Sequence, residues 1–212
     1  MRERRDFKRP EAKKSSRLVV IAAEGRETEK IYFQGLSEKL CSPKVHVEFL
    51  KRNNNNSSPE FVHEQILNFQ KEYNISDDDQ LWIVIDRDKW SIKSIKIIAQ
   101  YCIQNPNLFF CLSNPCFELW LLLHKLDINN CTEKEKISSN KKEKKNGETF
   151  TKKLLKTILG SYTESKYDVD ELLKTLDIAL IRAKSLDTMP KSRWPQKMGT
   201  RVYRIVESIM DL

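Results

Sequence analysis

Short apolar runs and helical stripes alternate along the first 125 residues. RLVVIAAEG (17–25) is a β-branched run closed by a glycine, the pattern of a buried strand with a turn after it. TEKIYFQGLSEKL (28–40) carries apolar residues at 31, 32, 36 and 40, a helical stripe. VHVEFLKR (45–52) returns to a strand, and NNNNSSP is a loop. Ser58 before Pro59 marks a helix start, with Phe61, Ile66 and Phe69 among its core candidates. SDDD (76–79) turns into QLWIVIDRD, a third strand, and a helix follows near 91–104. NLFFCLS (107–113) is a fourth strand, after which Asn114 and Pro115 open the apolar helix CFELWLLLHKL. This alternation predicts an α/β fold, Rossmann-like, with a mostly parallel four-stranded sheet flanked by helices. Right-handed crossovers would then gather the strand ends on one edge.

Beyond residue 125 the pattern changes. Residues 126–148 are polar and rich in lysine, and read as a loop of the same domain. From 149 to 212 the period is helical, in FTKKLLKTILG, DVDELLKTLDIALIRAKSLD and GTRVYRIVESIMDL, which predicts a C-terminal helical cap. Its apolar helices also offer a face on which a homodimer could form. Residues 1–16 are basic and nearly free of large apolar side chains, so they read as a flexible tail, or as an arm that touches phosphate.

Charge adds a partner but no chemistry. The chain has 38 Lys and Arg against 30 Asp and Glu, a net +8 that favours a polyanion such as nucleic acid. Its five cysteines form no CxxC pair, so zinc-finger spacing is absent and reduced thiols of a cytoplasmic protein are expected. No apolar stretch has the length of a membrane span, and MRERRDFKRPEAKK lacks the apolar core of a signal peptide.

The candidate chemistry lies at the strand ends. In an open α/β sheet ligands sit beyond the carboxyl ends of the strands. Glu24 follows the first strand, Asp86 and Asp88 end the third, Ser113 ends the fourth, and Glu118 starts the next helix. Converging carboxylates repel unless a cation lies between them, and Mg²⁺ or Mn²⁺ suits such oxygen ligands. Each acid also has a duller role. Asp86 and Asp88 could cap a loop or pair with Arg87 and Lys89, Glu24 could be a solvated turn residue, and Glu29 and Glu118 are favourable first-turn acids. Other constellations fail: there is no GxxxxGK[ST], GxSxG or HExxH, and His46, His63 and His124 stand far apart.

EGRETEKIYF after a hydrophobic strand, then WIVIDRD, SNPCFELWLLLH and WPQKMGTRVYRIVE, resemble the RloB-like family over about residues 15–210. That resemblance implies a Toprim-type catalytic domain, related to OLD-family nucleases and associated with restriction and abortive-infection loci. It implies Glu24 as the first-strand glutamate, Asp86 and Asp88 as the DxD pair, and Glu29 as a further ligand of one or two ions. Glu118 would be catalytic with Glu24, Asp86 and Asp88, and Ser113 with Lys152 or Lys153 would assist. The glycine many Toprim domains place after DxD is missing, Lys89 and Trp90 standing there instead, which favours nuclease over topoisomerase or primase chemistry. Arg26, Arg87, Lys141, Lys142, Lys144 and Lys145 would meet the nucleic-acid backbone. The expectation is therefore a Mg²⁺- or Mn²⁺-dependent nuclease of antiphage defence. Two rivals stand beside it: a silent or partner-activated module docking on an ATPase of the same locus, and a hydrolase of small phosphate compounds.

Overall fold

The computed structural model describes residues 4–13, 15–51, 58–87, 90–142 and 144–212. After a two-residue strand β1 (Arg5–Asp6), the chain enters β2 (Arg17–Ala23), α1 (Thr28–Leu40), β3 (Val45–Phe49), α2 (Pro59–Glu72) and a second short strand, β4 (Tyr73–Asn74). It continues through β5 (Gln80–Asp86), α3 (Ile92–Gln104), β6 (Leu108–Asn114) and α4 (Glu118–Leu123). The helices α5 (Lys134–Ser139), α6 (Phe150–Leu159), α7 (Val169–Leu173) and α8 (Leu176–Leu186) follow, then β7 (Gly199–Thr200) and α9 (Val202–Met210).

The main sheet has the order β3-β2-β5-β6-β7, with the first four strands parallel. Its central strands β2, β5 and β6 are almost wholly apolar along their middles because both faces are covered. Val19, Ile21 and Ala23 of β2 face α1 and the C-terminal helices, whereas Leu18, Val20 and Ala22 face α2 and α3. The helix starts follow local chemistry. Ser58 Oγ accepts the Phe61 N–H at 3.2 Å ahead of α2, and Ser91 Oγ accepts the Ser94 N–H at 3.1 Å ahead of α3. Gly160, at φ 72°, closes α6 in the left-handed conformation that glycine adopts without strain.

From β2 the chain adds β3 on one side, then crosses over to place β5 on the other. The order of connection therefore reverses between β2 and β5, and a crevice opens beyond their carboxyl ends.

Three segments differ from the sequence reading. The sheet has a fifth strand, β7, antiparallel to β6, with Ser113 opposite Thr200. Two residues carry no periodicity, and β7 is held instead by the Ser113–Thr200 hydroxyl pair at 2.8 Å and by Arg201, whose buried guanidinium meets Asp187 at 3.0 Å. The described residues 4–13 of the basic N-terminal segment are docked and not a loose tail. β1 pairs with β4, Arg9 meets the buried Asp79 at 3.0 Å, and Lys13 Nζ donates to the carbonyls of Ser42 and Val45 at 2.8 Å each. The 126–148 segment is not all loop: it holds a 3-10 turn at Ile128–Asn130 and α5, which buries Ile137. Among the described residues no helix is long and apolar enough to cross a membrane.

Candidate functional site

Glu24 leaves the end of β2 with its backbone N–H on the Val84 carbonyl of β5, at 2.9 Å. Its side chain is buried and Oε2 accepts two donors, the Asp86 N–H at 3.1 Å and Trp90 Nε1 at 2.7 Å. Asp86 ends β5 in register with Ser113 of β6. The adjacency of β2 and β5 is thus what brings Glu24 to Asp86, 62 residues further along the chain.

Glu29 occupies the first turn of α1 and is 3% exposed. Its Oε1 accepts the Gly25 N–H at 3.0 Å. Gly25 is required by this close approach, because a Cβ there would fall 1.6 Å from Glu29 Oε2. Burial pushes the Glu29 carboxyl from 4.5 up to about 7, and the negative charges of Glu118 and Glu24 push it the same way. Glu118 opens α4 and accepts the Tyr162 O–H at 3.2 Å. Lys152 on α6 lies 3.6 Å from Glu118 and also pairs with Glu164. Burial opposes the lysine's charge, yet these two carboxylates outweigh it and hold its pKa above the usual value.

These groups line one cleft of about 310 Å³. Glu24, Glu29, Asp86, Glu118 and Glu164 contribute acids, while Arg26, Lys142 and Lys152 contribute cations. The opposite wall is pinned by Asn140, at the left-handed end of α5. Asn140 Oδ1 accepts the Thr151 N–H at 3.1 Å and its hydroxyl at 2.7 Å, while Nδ2 donates to Cys116 Sγ at 3.4 Å. That network fixes the start of α6, and with it Lys152, against the segment leading to Glu118.

The family model for RloB-like proteins matches residues 19–209. The chain belongs to the RloB-like family. No curated protein and no solved structure matches it. The matched span of this RloB-like chain runs from within β2 to within α9, so every acid of the cleft lies inside it.

Of the residues singled out in the sequence, Glu24, Glu29, Asp86, Glu118, Arg26, Lys142 and Lys152 come together in this RloB-like cleft. Others do not. Ser113 is fully buried, hydrogen-bonded to Thr200 of the adjoining β7, and outside the cleft lining. Lys152, not its neighbour Lys153, faces the acids. Arg87 turns its guanidinium to the Trp90 carbonyl at 2.9 Å, and Lys141, Lys144 and Lys145 are exposed outside the cleft. Asp88 lies outside the described residues. Among the described residues no three of the acidic, histidine and cysteine side chains converge closely enough to hold one ion together.

Sequence reasoning missed Trp90, Tyr162, Asn140 and Glu164. Trp90 enters the sequence reading as standing where a glycine is missing, whereas in the fold its indole N–H reaches Glu24. Nothing in the local sequence marks Tyr162 or Asn140, whose roles depend on partners 44 and 24 residues away.

Proposed function

We propose that this RloB-like chain is a Toprim-type nuclease that cleaves phosphodiester bonds with Mg²⁺ or Mn²⁺ and serves in antiphage abortive-infection defence. The observation that carries the reading is the gathering of Glu24, Glu29, Asp86 and Glu118 from four different elements on one cleft at the switch between β2 and β5. A scaffold has no use for a carboxyl pushed up by burial and, further, by the acids beside it. A hard divalent cation, which takes oxygen ligands, would relieve that repulsion.

The donor chemistry suits such an ion, since Glu24, Glu29, Asp86 and Glu118 offer only oxygen ligands, and these are the residues that would hold it once they draw within coordinating distance of one another. When bound, it would supply positive charge to a phosphoryl oxygen and lower the pKa of a coordinated water. The chain's own residues do the positioning. Asp86 N–H and Trp90 fix one oxygen of Glu24, and Gly25 N–H fixes one of Glu29. Tyr162 orients Glu118, and Lys152 is placed to steady negative charge on a phosphate in the cleft. Arg26 and Lys142 would hold the flanking backbone.

The test is cleavage of plasmid DNA, single-stranded DNA and total transfer RNA with Mg²⁺, Mn²⁺ or EDTA, using wild type, Glu24→Ala and Asp86→Ala. Cutting that needs metal and disappears in both variants supports the reading. Wild-type rates in Asp86→Ala would sink it. A folded protein that binds metal but cuts nothing would move the assignment to a partner-activated module on an ATPase.

A further inference from the structure

Beside the acidic cleft lies a second, smaller one of about 170 Å³, lined by Gly25, Arg26, Glu27, Lys30, Phe49, Leu50 and Lys51. The two share Gly25 and Arg26, so they are contiguous around the turn that leaves β2. The second is a different kind of place. Arg26 and Lys51 are exposed and Lys30 half-buried at its mouth, while Phe49 and Leu50 supply apolar wall. The lining holds three cations and a single acid, Glu27, which Arg26 and Lys30 approach at 3.9 and 3.8 Å. Glu48 on β3 lies within electrostatic reach of Lys51. Even with Glu48 counted, the rim stays net positive.

Resting on the nuclease reading, we propose that this notch is the subsite for the nucleotide next to the scissile phosphate, with Lys30, Lys51 and Arg26 on its backbone phosphate and Phe49 and Leu50 against its sugar or base. The substrate is then a polynucleotide strand running from one cleft to the other across Gly25. A small phosphate compound would fill the acidic cleft alone and gain nothing from a contiguous basic notch. Phosphate contacts position a strand without reading its sequence, so binding here is indifferent to base identity.

The experiment is fluorescence anisotropy with short labelled single-stranded DNA and RNA oligonucleotides of mixed sequence, in EDTA over a series of salt concentrations. Wild type is compared with Lys30→Ala/Lys51→Ala and with Asp86→Asn. Taking one lysine away from a single-strand phosphate flattens the slope of log K against log salt by about 0.7, so the double variant should bind more weakly with a slope shallower by about 0.7 to 1.4. Asp86→Asn, which removes an acid from the neighbouring cleft, should bind at least as tightly as wild type. Circular dichroism checks that the double variant is folded, and both lysines reach solvent, so folding should not change. A double variant with wild-type affinity and slope overturns the subsite, as does a wild type that binds neither oligonucleotide. The two readings fail separately. If wild type cuts but the double variant binds normally, the subsite falls and the nuclease stands. If the double variant shows the shallower slope but wild type cuts nothing with any metal, the nuclease falls and the strand-binding notch stands.

Discussion

Replacing Glu29 by glutamine should stabilise the metal-free protein at neutral pH. A buried carboxyl raised from 4.5 to about 7 keeps its proton in the folded chain over a range where the unfolded chain has lost it. Its contribution is therefore fully present below about pH 4.5 and lost as pH rises through 7. A span of about 2.5 units corresponds to roughly 3 kcal/mol, and full burial means solvent screening does not reduce it. Glutamine removes the charge and keeps an acceptor for the Gly25 N–H, but its amide lacks a designated partner, at a cost of about 1–2 kcal/mol. The net gain at pH 8 should be about 1–2 kcal/mol, or roughly 2–8 °C in Tm for a chain of this size. Differential scanning fluorimetry of both proteins in EDTA, at pH 5 and pH 8, measures it. The difference in Tm between variant and wild type should grow with pH, and comparing the two cancels every other titrating group. Adding Mg²⁺ should raise the wild type at pH 8 far more than the variant. A Tm difference that is the same at both pH values would refute the idea that Glu29 is an uncompensated charge awaiting a cation.

Three other outcomes follow from the same structure. Gly25→Ala should leave a folded chain, by circular dichroism, but abolish metal-dependent cleavage, since the new Cβ takes the space of the Glu29 carboxylate. His124 is held down to about 4, chiefly by burial, with Nδ1 donating to the Leu172 carbonyl at 2.8 Å and Nε2 accepting from Tyr32. Because its folded pKa is depressed, stability should be intact above about 6.5 and fall by about 3 kcal/mol as pH drops toward 4, a limb that chemical denaturation should show flattened in His124→Gln. Asp79→Ala should cost about 2–4 kcal/mol in urea unfolding, because it strands the Leu18 and Ser76 N–H groups and Arg9, while cleavage at the far edge of the sheet persists.

What the sequence disclosed was whatever local pattern determines. The runs at 18–23 and 81–85 read as doubly covered strands because both of their faces are apolar, and α1 and α2 were legible from a stripe and from Ser58 with Pro59. The acids at strand ends followed, since strand order alone decides which carboxylates become neighbours. What stayed hidden was set by distant partners. The basic N-terminal segment reads as solvated because its counterparts, Asp79 and the carbonyls of Ser42 and Val45, lie 29 to 70 residues away. Ser113 reads as a site residue at a strand end, and its partner Thr200 lies 87 residues away on a strand too short to show a period. Asn140 comes from the 126–148 stretch, whose polar composition reads as loop, and Tyr162 from beyond it, although their bonds to Cys116 and Glu118 are specific.

The bond from the Trp90 indole to Glu24 puts a fluorophore on the site. The other three tryptophans, Trp82, Trp120 and Trp194, are buried away from the cleft lining, so their emission belongs to the folded interior. Trp90 alone among them donates its ring N–H to one of the clustered carboxylates, at 2.7 Å. Whatever enters beside Glu24 changes the charge felt by that indole, and with it the colour and yield of its emission. The chain thus carries its own optical gauge of occupancy, one that Trp90→Phe would silence, and a titration could follow filling of the cleft without label, substrate or turnover.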